Sequence, residues 1–137
     1  MTAQGEGILA WLDRAITVRE QAAREAARFY GPRWVRPVDT DVVRVSDDGV
    51  VWFQALSDEI AEHIIYNSPE TVLRRCAADR KLLKEHAPQQ DGSGFPDSMQ
   101  CRTCSQSGGD GYQYLVPFPC VTVRALAEGY GWTGGER

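Results

Sequence analysis

One histidine and three cysteines, His86, Cys101, Cys104 and Cys120, constrain this chain more than anything else in it, with the spacing H-x14-C-x2-C-x15-C. The step Cys101-Arg102-Thr103-Cys104 suits a knuckle whose two thiolates face one metal ion. Alone it is a weak signal, because C-x-x-C also serves redox chemistry. Here a third cysteine follows Pro119 at the start of a helical pattern, and the histidine ends the helix before the knuckle. The segments between them are polar and glycine-rich, so apolar burial cannot hold them together. A structural zinc ion bound by His86, Cys101, Cys104 and Cys120 would tie the helix end, the knuckle and the last helix start into one unit. Such ions contribute on the order of 10 kcal/mol in small finger peptides. The positive end of the last helix also favours a thiolate at Cys120.

Other readings of these residues are weaker. A redox pair at Cys101 and Cys104 lacks a preceding thioredoxin-like βαβ pattern, and a stable disulfide suits an exported chain. His86 is the least constrained of the four: a helix-end histidine at the surface, with water at the fourth position, is the alternative. A catalytic zinc keeps an open position and a nearby base. The zinc-deaminase pattern, H-x-E with P-C-x-x-C, fails here. His63 precedes Ile64-Ile65, His86 precedes Ala87-Pro88, and Gln100 precedes Cys101. No H-E-x-x-H occurs. No catalytic residue is assigned, and His63 reads as a rim or core residue.

Upstream, the pattern is α+β. Ile8, Leu12, Ala15 and Ile16, then Ala22, Ala23, Ala26 and Ala27, predict a long helix over 6–30 that Gly31-Pro32 ends. Trp34-Val35-Arg36, Val42 to Val45 and Val50 to Phe53 predict an antiparallel meander of two or three strands, with a turn at Asp47-Asp48-Gly49. Two paired helices follow. The first is capped by Ser57 and carries Leu56, Ile60, Ile64 and Ile65. The second runs from Pro69 to His86, with Cys76 facing inward as an inert buried thiol. Residues 89–100 and 105–111 read as loops, and a short helix starts at Pro119-Cys120 and stops at Gly129. The expected organisation is one domain over 1–137. It comprises a helix, hairpin and helix core over 6–86, a zinc-clamped loop and short helix over 87–130, and a flexible tail over 131–137.

The length of 137 residues suits one domain. A net charge of −4 argues against a protein that coats nucleic acid. Nothing approaches the roughly 20 apolar residues that span a membrane. The N-terminus has no basic cluster before its apolar run, unlike a secretory signal. A cytoplasmic protein without membrane partners is expected. Its first functional reading is a zinc-stabilised protein-interaction or regulatory module, with Tyr112, Tyr114, Phe118 and Trp132 as candidate anchors. The alternatives are nucleic-acid binding through Arg74, Arg80, Lys81 and Lys84, and a metal-dependent enzyme.

The order of these features resembles a family of unknown function, numbered 6221, of small actinobacterial and actinophage proteins. The resemblance is carried by Gly31-Pro32-Arg33-Trp34, Glu62-His63-Ile64 and Pro69-Glu70-Thr71-Val72-Leu73-Arg74. It continues through His86, the Cys101 to Cys104 knuckle, and Pro119-Cys120-Val121-Thr122-Val123-Arg124. Asn67 stands where that family often has a second histidine. The resemblance implies the α+β architecture, the metal set and a phage or actinobacterial source, and implies no activity.

Overall fold

The computed structural model describes residues 3–36, 42–44, 52–107, 110–111 and 113–134. In chain order these form α1 (Ala3–Tyr30), β1 (Val42–Arg44), β2 (Trp52–Gln54), α2 (Asp58–Tyr66) and α3 (Pro69–Glu85). Then follow β3 (Pro88–Gln90), β4 (Met99–Cys101), β5 (Gln106–Ser107), β6 (Gln113–Tyr114) and α4 (Val121–Gly129). The class is α+β with a long N-terminal helix. Among the described residues the named strands pair with their sequence neighbours, in three antiparallel hairpins. No described helix is long and apolar enough to cross a membrane.

Helix α1 forms because Ile8, Leu12, Ile16 and Ala23 recur at helical spacing, and all four are buried. Arg14, Arg19, Arg24 and Glu25 are exposed. Gly31 ends the helix with φ of 78°, a left-handed conformation that glycine accepts without a Cβ penalty. Its N–H donates to the Ala27 carbonyl at 2.8 Å.

The chain divides into two compact units, Thr17–Ala77 and Met1–Ile16 with Ala78–Arg137, and the division falls inside α1 and inside α3. In the first unit β1 and β2 pair in the register Val42↔Gln54, Val43↔Phe53 and Arg44↔Trp52. Val43, Ala55 and Ala61 form its buried cluster, covered by Trp34, Ile64 and Ile65. The hydroxyl of Ser57 accepts from the Ile60 N–H at 3.3 Å, which caps α2 as the sequence predicts. Glu70 donates its N–H to the Pro32 carbonyl at 2.9 Å, and its carboxylate meets Arg33 at 3.3 Å. Cys76 is buried, as expected of an inward-facing thiol.

Three expectations need correction here. Leu56 is 95% exposed because it precedes the helix rather than riding its apolar face. Ile60 is also exposed, and Ala61 takes the buried position. Of Trp34-Val35-Arg36, only Val35 sits in a β-bridge. The Asp47-Asp48-Gly49 turn lies outside the described residues.

In the second unit Ile8, Leu12, Cys101, Phe118, Cys120, Val123 and Ala127 form the buried cluster, with Trp11, Leu83, Met99 and Trp132 packed against it. Trp11 and Trp132 meet edge-on at 5.2 Å between ring centroids. The Arg80 guanidinium pairs with Asp13 at 2.8 Å. Asp79 is buried and accepts from the Tyr130 hydroxyl at 2.6 Å.

The stretches 89–100 and 105–111, read from sequence as loops, contain strands. β3 pairs with β4 in the register Pro88↔Cys101, Gln89↔Gln100 and Gln90↔Met99, and β5 pairs with β6. Between β3 and β4, Asp91 organises the turn. Its carboxylate accepts from the Ser93 N–H at 2.8 Å and from the Ser98 hydroxyl. Those bonds, Ser93 first, hold its carboxyl below the ordinary carboxylate range. Helix α4 ends at Gly129, as the sequence predicts, with Tyr130 as its C-cap, and the left-handed residue that follows is Gly131 at φ of 103°.

Candidate metal centre

The four ligand candidates reach one point because three backbone segments converge. His86 follows the last turn of α3, its N–H still donating to the Leu82 carbonyl at 2.9 Å. Two residues on, Pro88 pairs with Cys101, which brings the end of β4 beside the helix end. The Arg102 N–H donates to the Ala87 carbonyl at 3.0 Å, and the Ser105 N–H to the Cys101 carbonyl at 3.1 Å. The second bond closes the knuckle turn that carries Cys104.

Residues 116–118 run antiparallel to β4 on its other side. The Cys101 N–H donates to the Val116 carbonyl at 2.8 Å, the Phe118 N–H donates to the Met99 carbonyl at 3.0 Å, and Gln100 bridges Pro117. This third line of chain delivers Cys120 as the N-cap of α4.

Around that point the geometry is tight. His86 Nδ1 lies 3.4 Å from Cys101 Sγ, 3.4 Å from Cys104 Sγ and 3.6 Å from Cys120 Sγ. All four ligand atoms lie within 4.8 Å of one another. Cys101 is 0% exposed and Cys120 1%, whereas Cys104 and His86 are half-buried. None of the four cysteines of the chain, all among the described residues, is in a disulfide.

Burial and mutual contact shift two of the thiols in opposite directions. Desolvation first, then the adjoining Cys101 and Cys120, pushes the Cys104 thiol up to about 12. Burial also acts to raise Cys120, yet its thiol is held below its ordinary value. The Val123 N–H contributes most to that lowering, followed by Cys101, Cys104 and the Thr122 N–H. These amides belong to the first turn of α4, whose dipole favours negative charge, although the sulfur makes no well-formed cap hydrogen bond. A cation bound among the three sulfurs would favour their thiolate forms and displace their protons.

Sequence reasoning did not foresee a strap outside the ligands. The Thr103 hydroxyl donates to the Glu85 carbonyl, and Arg102 pairs with the Glu85 carboxylate at 3.4 Å. The carbonyl is one that the end of α3 leaves without an intrahelical partner. Both bonds seat the knuckle on the helix end beside His86. No spacing rule announces a threonine that satisfies a helix terminus across the fold.

The other sequence-selected residues lie elsewhere. His63 is exposed on α2, where its carbonyl accepts from Asn67 at 2.8 Å, and it is not part of the cluster. Arg74, Lys81 and Lys84 are exposed on α3, and Arg80 is half-buried in its pair with Asp13. Among the aromatics, Tyr114 is exposed, Phe118 is in the core and Trp132 is half-buried against it. Tyr112 lies outside the described residues.

Fold and site together define a small α+β protein with a Cys3His set able to hold a metal ion. The chain belongs to a family of unknown function (DUF6221), whose model matches residues 5–131. Neither a curated protein nor a solved structure shows significant similarity to it.

Proposed function

We propose that His86, Cys101, Cys104 and Cys120 bind one structural zinc ion, and that the unit so clamped serves as a protein-interaction module in a reducing compartment. The observation that carries the metal assignment is the set of three Sγ···Nδ1 separations, 3.4, 3.4 and 3.6 Å. A tetrahedral zinc with bonds of about 2.3 Å to sulfur and about 2.05 Å to nitrogen requires a separation of about 3.6 Å. Soft thiolates with an imidazole select zinc over hard oxygen-loving cations. Ligation by Nδ1 places the imidazole proton on Nε2. Bound there, the ion supplies a cross-link among three segments, the end of α3, the β4 knuckle and the start of α4.

The set is closed. Four protein ligands leave no position for a substrate or an activated water, and no carboxylate among the described residues joins the cluster. That supports a structural role over a catalytic one. The interaction reading draws on exposed apolar side chains in the same unit, Phe95, Tyr114 and Val121. The net charge of −4 favours protein over nucleic acid as the partner class.

Metal analysis of purified protein tests the assignment, with about one zinc per chain expected. Cobalt substitution should give the intense visible bands of a tetrahedral thiolate site. A weak, octahedral-type spectrum, or a metal-free protein with unchanged amide protection, overturns it. Affinity capture tests the module reading: a partner lost on substitution of Phe95 or Val121 supports it, and retention of every partner by those variants refutes that surface.

A further inference from the structure

Resting on the zinc assignment, we propose that Cys104 is a modification site: the thiolate at which this protein accepts peroxides and soft electrophiles, with Cys101 as its resolving partner.

The argument is one of access. Cys76, Cys101 and Cys120 are at most 1% exposed, so they are closed to solvent, while Cys104 is only half-buried. A ligand thiolate keeps nucleophilic character, and reaction at a cysteine follows thiolate character and exposure together. The resolving thiol is set by the turn. Cys101 and Cys104 share one hydrogen-bonded loop closed at 3.1 Å, and their sulfurs are within 4.8 Å. Cys120 is anchored instead at the start of α4.

The chemistry balances with hydrogen peroxide as the oxidant. The Cys104 thiolate attacks one oxygen, the O–O bond breaks, and hydroxide leaves a sulfenic acid on Cys104. The Cys101 thiolate then attacks that sulfur, an S–S bond forms, the S–O bond breaks, and a second hydroxide leaves. Two thiolates lose two electrons in all, and the peroxide gains them. Only His86 and Cys120 remain as ligands, too few to hold the ion or the polar segments that it orders.

The test uses the full zinc-loaded chain. Substoichiometric N-ethylmaleimide, quenched early and read by peptide mass spectrometry, should label Cys104 about tenfold or more ahead of Cys76, Cys101 and Cys120. Hydrogen peroxide should release zinc to a chromophoric chelator in step with a disulfide. Trypsin cuts after Arg102, so a 101–104 link appears as two joined peptides, and a thiol reductant with added zinc restores the starting state. First labelling at any other cysteine, or oxidation without zinc release, overturns the proposal while the metal assignment stands. A chain that holds no zinc at the outset removes both.

Discussion

The two units of this chain reach order by different means. Thr17–Ala77 buries a small cluster, Val43, Ala55 and Ala61, beneath half-buried Trp34, Ile64 and Ile65, and its paired strands β1 and β2 are close in sequence. Met1–Ile16 with Ala78–Arg137 buries a larger cluster, but two of its seven buried members are the thiols Cys101 and Cys120. Its strands are only two or three residues long. Small cores stabilise only part of a fold, and such proteins add staples. The first unit is built on apolar packing and caps. The second places the candidate ligands Cys101 and Cys120 in its core, so with the proposed zinc bound there, loss of the ion and loss of packing would be one event.

Removing a ligand should break that contrast with the largest effect. Cys120→Ser, or strong chelation of the wild type, should withdraw a contribution on the order of 10 kcal/mol. Amide protection should vanish from β3, β4 and α4 while α2 and the β1–β2 hairpin keep theirs, as hydrogen exchange would show. Equal loss in both units would end the distinction. Next in size, Leu12→Ala removes a fully buried side chain from the thiol-bearing cluster. It should cost about 2–5 kcal/mol in denaturant unfolding of the zinc-loaded protein. A fall in zinc affinity along with stability would show that packing and ligation are coupled.

The thiol set was the most legible part of the sequence because rare residues at fixed spacings leave few alternatives. Helices α1 and α4 were legible from their period, and β1 and β2 from dense β-branched and aromatic residues. β3 to β6 were not. Strands of two or three residues are too short to show alternation, and β3 and β4 are rich in glutamine. What aligns β4 is its pairing with the distant residues Val116 to Phe118, which no local pattern encodes. Leu56 misled for a related reason: helical spacing cannot tell whether the first apolar residue lies inside the helix or just before its cap.

Smaller changes sharpen the comparison. Tyr130→Phe leaves buried Asp79 without its 2.6 Å donor and should cost about 1–3 kcal/mol. The zinc content should not change, since neither residue belongs to the ligand set. The smallest effect is set by pH at Asp91. Its carboxyl is depressed in the folded chain, so its contribution is complete above the unfolded value near 3.8 and is lost as pH falls through the lower folded value. The protection factor of the Ser93 amide, its exchange rate referred to the intrinsic rate at each pH, should fall across that acidic window and stay flat above it, and Asp91→Asn should remove the dependence.

The central line of the second unit, β4, places Met99 and Cys101 against the core and leaves Gln100 between them to bridge Pro117. A pleated line admits no half-steps: sliding it by one residue would turn the Cys101 sulfur to the opposite face. Tolerance to insertions and deletions is therefore sharply uneven along a few residues. Residues added at the tip between Asp91 and Ser98 would lengthen an outward turn and leave β4 where it is. One residue added between Met99 and Cys104 would scatter the sulfurs, so natural relatives should vary in length at the tip and not in the strand.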